Sequence, residues 1–286
     1  MLTVADERIA RIHDSMNGLD WVRYPRAEAI LAKLEDLYSL PRYHRMPHML
    51  IVGDTNNGKT MIAERFFANH LPCNELNVHD AQHHVIKIQA PPTPDEGRFY
   101  NIILESIYAP VRMSARNDQR QLQVQRFLDI VGTKVLIIDE IQHLLVGSVS
   151  KQRQLLNVLK YLGNELRMSI VALGTRDAFN VLQTDPQIAN RFEPAVLPRW
   201  QLNAEYLRLL AAIEPLLLLR KPPSLTSPAI ATKILALSEG TIGEICRLTE
   251  KASIYAIESG DEEITDVVLD SCGYSSPSSR RNQRDG

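Results

Sequence analysis

Cysteine is scarce in this chain: 286 residues carry three, Cys73, Cys246 and Cys272. They are too scattered for a metal cluster and odd in number, which suits a reducing cytoplasm. Long apolar runs are missing as well. The greasiest region, Tyr206 to Leu219, is broken by Arg208, Glu214 and Pro215, so no membrane span or membrane partner is expected. Asp6, Glu7 and Arg8 stand where a secretory leader needs an apolar stretch, and no leader is expected. Neither charge sign dominates: 32 Lys and Arg face 34 Asp and Glu, a net charge of −2. Any DNA contact therefore has to come from a local basic patch, or from several subunits combining their patches. Nothing reads as a helix-turn-helix, a zinc module or a nuclease-like acidic triad, which argues against sequence-specific reading and strand cleavage. His79, Asp80, His83 and His84 lie in a loop entering a strand, without a second ligand cluster, so no metal site is expected there.

What the chain does have is a complete phosphate loop. Gly53 to Thr60 read GDTNNGKT, a G-x-x-x-x-G-K-[ST] pattern, directly behind the apolar run Met49, Leu50, Ile51, Val52. A glycine-rich turn between a buried strand and a helix aims backbone N–H groups and the positive end of the helix dipole at a polyphosphate. The nucleotide-binding set is Gly53, Asp54, Thr55, Asn56, Asn57, Gly58, Lys59, Thr60 and Met61. Lys59 is expected to reach the β and γ phosphates, and the Thr60 hydroxyl to hold Mg²⁺. Downstream, Val135, Leu136, Ile137 and Ile138 end in Asp139 and Glu140. Taken alone, adjacent acids at a strand end also fit a solvated loop or a helix cap. Behind a buried strand and a phosphate loop they read as a Walker B pair, Asp139 for the Mg²⁺ shell and Glu140 for the attacking water.

Periodicity divides the rest. Ile9, Ile12, Met16 and Leu19 predict a helix across Leu2 to Leu19, and Ala27, Ile30, Leu31, Leu34 and Leu37 a second from Pro25, stopping before Pro41. Residues 1–44 thus read as an N-terminal helical extension, and residues 45–201 as a nucleotide-binding core. In the core, Val85 to Gln89 and Ser169 to Leu173 are predicted strands, the second ended by Gly174 and Thr175. A helix is expected around Tyr100 to Ile107 and a polar basic stretch from Arg112 to Arg126. Strands alternating with helices predict an α/β fold with a parallel, doubly wound sheet. Residues 202–274 read as a small helical lid, with a start at Ser227 and Pro228 and a capping box of Thr241 with Glu244. Residues 275–286, rich in Ser, Pro, Arg and Asn, read as a disordered basic tail.

These motifs in this order resemble an AAA+ ATPase, and more closely the TniB and TnsC proteins of bacterial transposons. The likeness rests on Tyr24-Pro25-Arg26-Ala27, on Arg45-Met46-Pro47 leading into residues 49–60, and on Leu136-Ile137-Ile138-Asp139-Glu140-Ile141-Gln142-His143. It spans nearly the whole chain except the two ends. The resemblance implies an ATP-dependent regulator of DNA transposition that forms a homo-oligomeric ring or filament on duplex DNA, marks the target with a target-selection protein and recruits the transposase. It implies an ATPase that is slow and stimulated by DNA or a partner. It also implies a trans-acting arginine on the neighbouring subunit's phosphate, at Arg191 with Arg176 as the substitute, and a polar sensor at Thr175. The catalytic set is then Glu140, Lys59, Thr175 and Arg191. Gly240 to Arg247 lacks an arginine at the family's usual second-sensor place, with Arg247 one turn later. DNA contacts are expected at Arg98, Arg112, Ser114, Arg116 and Lys151, without sequence preference. Two rivals stay open: a nucleotide-gated protein-interaction switch without a DNA role, and a replication-type loader.

Overall fold

The computed structural model describes residues 4–16, 21–71, 82–183, 185–222 and 225–282; Cys73, His79 and Asp80 lie outside them. The chain runs α1 (Val4–Asp14), α2 (Pro25–Ser39), β1 (His48–Gly53), α3 (Lys59–Asn69), β2 (Val85–Gln89), α4 (Glu96–Ser106), α5 (Asn117–Ile130), β3 (Val135–Asp139) and α6 (Val149–Glu165). It continues through β4 (Ser169–Gly174), α7 (Arg176–Gln183), α8 (Pro186–Ala189), β5 (Phe192–Leu197), α9 (Ala204–Ile213), α10 (Pro228–Leu237), α11 (Ile242–Ser259), α12 (Asp266–Ser271) and α13 (Pro277–Asn282). None of the described helices is long and apolar enough to cross a membrane.

The described residues fall into two compact units. One comprises Ala29–Thr55 and Lys59–Leu197, within which the described strands form a parallel sheet in the order β2-β3-β4-β1-β5. The strands β1, β3 and β4 are buried along their whole length, as continuous apolar sequences require when helices cover both faces. On one face Leu50, Val52, Ile86, Ile88, Leu136, Ile138, Ile170 and Ala172 pack with Phe99, Tyr100 and Ile103 of α4 and Leu155 and Leu159 of α6. Ile62, Ala63 and Phe66 of α3 are likewise buried, and the Tyr38 ring of α2 meets Phe66 edge-on at 6.5 Å. Fully burying a side chain of this size contributes roughly 1.5–3 kcal/mol.

This is the expected α/β fold, a parallel sheet flanked by helices, with one strand beyond those predicted. The edge strand β5 exposes Glu193, Pro194 and Val196 among buried residues, so its sequence lacks the continuous apolar signature of the inner strands. The basic stretch from Arg112 to Arg126 contains most of α5, whose Val124 and Leu128 are buried.

The other unit comprises the described parts of Met1–Glu28, Asn56–Gly58 and Pro198–Gly286. The first helix therefore groups with the C-terminal helices, while the second, from Ala29 onward, groups with the sheet. Arg8 explains the first association: its guanidinium donates to Glu262 Oε1 at 2.9 Å and Oε2 at 2.7 Å, and its Nε to the Leu218 carbonyl at 3.1 Å. That hydrogen-bonded pairing holds the Glu262 carboxyl down at about 2. The predicted start at Ser227 and Pro228 is the cap and first residue of α10. The expected disordered tail differs from the structure over Pro277–Asn282, which form α13. Ser278 N–H donates to Glu239 Oε1 at 2.6 Å and Arg281 to Glu239 Oε2 at 3.3 Å, tertiary partners that composition does not reveal.

Candidate functional site

The strands of a parallel sheet deliver their following loops to one edge, and the loops after β1, β3 and β4 carry the predicted chemistry there. Gly53 closes β1, and α3 begins at Lys59. Between them Asn56 has φ +62° and Gly58 φ +84°, left-handed conformations that asparagine tolerates and glycine adopts freely. Lys59 is buried, and its Nζ donates to the carbonyls of Gly53 at 2.9 Å and Asp54 at 2.8 Å. Burial lowers its pKa, with Glu140, Asp139 and Asp54 pulling in the opposite direction. Thr60 Oγ1 donates to Asp139 Oδ2 at 2.9 Å. Thr55 and Asn56 are exposed at the loop, Asn57 is buried, and Met61 points outward from α3.

Glu140 follows β3 with φ +54°, its N–H donating to Asp139 Oδ1 at 2.8 Å. A non-glycine residue held in this region costs free energy, on the order of 1–3 kcal/mol, and such residues cluster at functional sites. The Glu140 carboxylate accepts from the Gln142 side-chain amide, a partner that motif reading missed. Gly174, at the end of β4, lets the turn after β3 approach: a Cβ there would lie 2.7 Å from Ile141 Cγ2 and 3.2 Å from Gln142 Oε1. Thr175 follows directly and accepts from Phe179 N–H at 3.3 Å through its carbonyl. The structure thus brings Gly53, Lys59, Thr60, Asp139 and Glu140 together at one sheet edge.

Arg191 is elsewhere. It precedes β5, whose first residue Phe192 is in register with His48 at the start of β1, so it lies at the amino edge of the sheet. Its Nη1 donates to Asn164 Oδ1 at 2.6 Å, and its carbonyl accepts from His48 N–H at 2.8 Å. An open cavity lined by Tyr43, Arg45, Gln187, Asn190 and Arg191 adjoins it. Arg176 opens α7 at the carboxyl edge. His48 is itself buried: its Nδ1 accepts from Ile170 N–H at 3.1 Å, and burial, with Arg191 nearby, pushes its pKa down to about 4.

The basic candidates gather around the first turns of three helices. Arg98 is in the first turn of α4, Arg116 caps α5 and Lys151 is in the first turn of α6, all exposed. Glu96 ties these helices, accepting from Asn117 of α5 at 3.4 Å and Gln154 of α6 at 2.7 Å. Arg112 and Ser114 are exposed on the segment before α5, which Arg120 fastens by donating to the Met113 carbonyl at 2.8 Å.

In the C-terminal helices, Arg247 is exposed on α11. The expected capping box is absent there: the Thr241 side chain makes no cap bond, and Glu244 binds other partners.

Among solved structures, the chain resembles the Aeropyrum pernix ORC1 protein in complex with DNA, at 18% identity, over 93% of this chain and 68% of that one, with a TM-score of 0.61. It resembles the Aeropyrum pernix ORC2 protein in ADPNP–ADP complexes at 14% identity, over 90% and 70%, with a TM-score of 0.59. Drosophila ORC bound to DNA matches at 14% identity, over 94% and 65%, with a TM-score of 0.61. At such identities the likeness carries the fold alone. A comparison with curated proteins gave no match. The family model described as bacterial TniB protein matches residues 8–202, the phosphate loop, the Walker B pair and Arg191 included, and stops before α9. The chain belongs to the TniB family.

Proposed function

We propose that this chain binds ATP with Mg²⁺, hydrolyses it slowly under stimulation by DNA or a partner, and in its nucleotide-bound state assembles on duplex DNA as a cytoplasmic regulator of transposition. The observation that carries the reading is the Thr60–Asp139 hydrogen bond of 2.9 Å. It sets a hydroxyl and a carboxylate side by side next to a buried ammonium, and hard oxygen donors of this kind are what Mg²⁺ takes. The residues fit the nucleotide as well: Lys59 offers a charge-assisted donor to phosphate, and the first turn of α3 offers its unpaired N–H groups. Bound there, Mg²⁺ would neutralise charge on the phosphates. Glu140, held by Gln142, orients water.

In an assembled ring or filament, Arg191 acts on the neighbouring subunit's nucleotide. Its place at the amino edge beside an open cavity supports it over Arg176. Thr175 serves as the polar sensor, and Arg247 takes the second-sensor role. Arg98, Arg112, Ser114, Arg116 and Lys151 contact DNA phosphates; repeated once per subunit, such a set gives a near-neutral chain affinity without sequence preference. Membership in the TniB family supports the transposition role, with a transposase and a target-selection protein as partners.

The test is binding of a fluorescent ATP analogue with and without Mg²⁺, in wild type, Lys59→Ala and Thr60→Ala. Binding that needs Mg²⁺ and disappears in Lys59→Ala supports the reading. Equal signal in all three proteins sinks it.

A further inference from the structure

One carboxylate joins three segments far apart in sequence. Glu244 is 7% exposed. Its Oε1 accepts from Asn56 Nδ2 at the tip of the phosphate loop, at 3.2 Å. Its Oε2 accepts from the Tyr274 hydroxyl at 2.7 Å and from Arg280 Nη2 of α13 at 2.5 Å. A glutamate three residues after a helix cap commonly reaches back to that cap, but this one is turned toward the loop and the C-terminal helix instead.

The backbone repeats the attachment. Gly243 N–H donates to the Asn56 carbonyl at 3.0 Å, and a Cβ on Gly243 would collide with the Asn56 side-chain amide. The neighbouring Asn57 is anchored too, its Nδ2 donating to the Pro198 carbonyl at 3.1 Å. The loop tip is therefore held at two consecutive residues, one of them in the left-handed region. On the far side, α13 is docked independently through Ser278 and Arg281 on Glu239. Arg280 is thus delivered to Glu244 by a helix with its own footing.

We propose that Glu244 and Arg280 are positioning residues of the phosphate loop: Glu244 fixes Asn56 in its left-handed conformation, and Arg280 supplies the countercharge that lets a buried carboxylate stand beside a loop built to receive polyphosphate. The proposal rests on the nucleotide-binding reading above. The physical reason is twofold. A pre-ordered loop loses less conformational freedom when ligand binds. A carboxylate left without its cation is costly when buried, and repels phosphate. Glu244 behaves as such a pair predicts: burial pushes its pKa up, but the bonds from Arg280 and Tyr274 outweigh burial and hold it below the ordinary range.

The test uses the full chain and two readouts: affinity for a fluorescent ATP analogue, and hydrogen exchange of the loop amides at Asn56 to Gly58 without nucleotide. Arg280→Ala is expected to weaken nucleotide binding about three- to tenfold, the scale of one or two hydrogen bonds, and to speed loop exchange. Arg280→Lys should recover part of the affinity. Glu244→Gln combined with Arg280→Ala should recover more, because a neutral amide still accepts from Asn56 and needs no countercharge. Lys59→Ala separates this idea from the reading beneath it. If wild type binds nucleotide, Lys59→Ala does not, and Arg280→Ala binds as wild type does, the positioning role is overturned while nucleotide binding stands. If wild type binds no nucleotide, the reading fails and the positioning role falls with it. Faster loop exchange with unchanged affinity likewise overturns it.

Discussion

Thr60 Oγ1 donates to Asp139 Oδ2 across 2.9 Å, joining the first turn of α3 to the end of β3. The bond ties the phosphate loop to the Walker B strand through side chains that are 79 positions apart. Substituting either partner is expected to weaken Mg²⁺-dependent nucleotide binding on the order of 10- to 100-fold, as for loss of a charge-assisted bond. Titration of the fluorescent analogue at several Mg²⁺ concentrations checks it; an unchanged Mg²⁺ requirement in Thr60→Ala contradicts the assignment.

The proposed function places the work of Glu140 and Gln142 after binding. Glu140→Gln should keep nucleotide affinity and lower steady-state phosphate release on the order of 100-fold. Gly174→Ala should act in the same direction more weakly, because its Cβ would stand 2.7 Å from Ile141 Cγ2 and displace the turn that bears Gln142. Phosphate release and binding measured side by side distinguish the two effects.

At the amino edge of the sheet, His48 makes stability depend on pH. The unfolded histidine takes up a proton below about 6.5, whereas the folded one, pushed down to about 4, stays neutral. Below about 6.5 the unfolded state therefore binds more protons, and stability is lost as pH falls toward 4, by at most about 1.4 kcal/mol per unit. Urea unfolding at pH 7.5 and 5 reads the loss, and His48→Gln should reduce the difference between the two. Gly163→Ala should destabilise at every pH by about 1–3 kcal/mol, since its Cβ would meet the His48 ring at 2.8 Å.

Much of this was legible in the chain. The inner strands β1, β3 and β4 are buried on both faces, so their apolar runs stand out, and the loop and acid pair follow from spacing. The edge strand β5 did not announce itself, because Pro194 and exposed Glu193 and Val196 break its pattern. Thr241 and Glu244 have the spacing of a capping box, yet Glu244 is claimed by Asn56, Tyr274 and Arg280. The helix at Pro277–Asn282 carries a composition that reads as disorder; Glu239 and Glu244, about 40 residues earlier, hold it. In each case the deciding partner is distant in sequence, and local propensity is silent about it.

For DNA, Arg116→Ala and Lys151→Ala should each weaken binding about equally on unrelated sequences and lower the slope of log affinity against log salt by about one per contact. A variant that loses affinity for one sequence only, with an unchanged salt slope, contradicts a phosphate contact.

The most direct measurement is fluorescence anisotropy of a labelled random-sequence duplex titrated with the full chain, with Mg²⁺ and a slowly hydrolysed ATP analogue, without nucleotide, and with Lys59→Ala. Cooperative binding that requires nucleotide and vanishes in Lys59→Ala is the predicted result. DNA binding that is absent at low salt, or indifferent to nucleotide, contradicts the account and favours a nucleotide-gated protein switch.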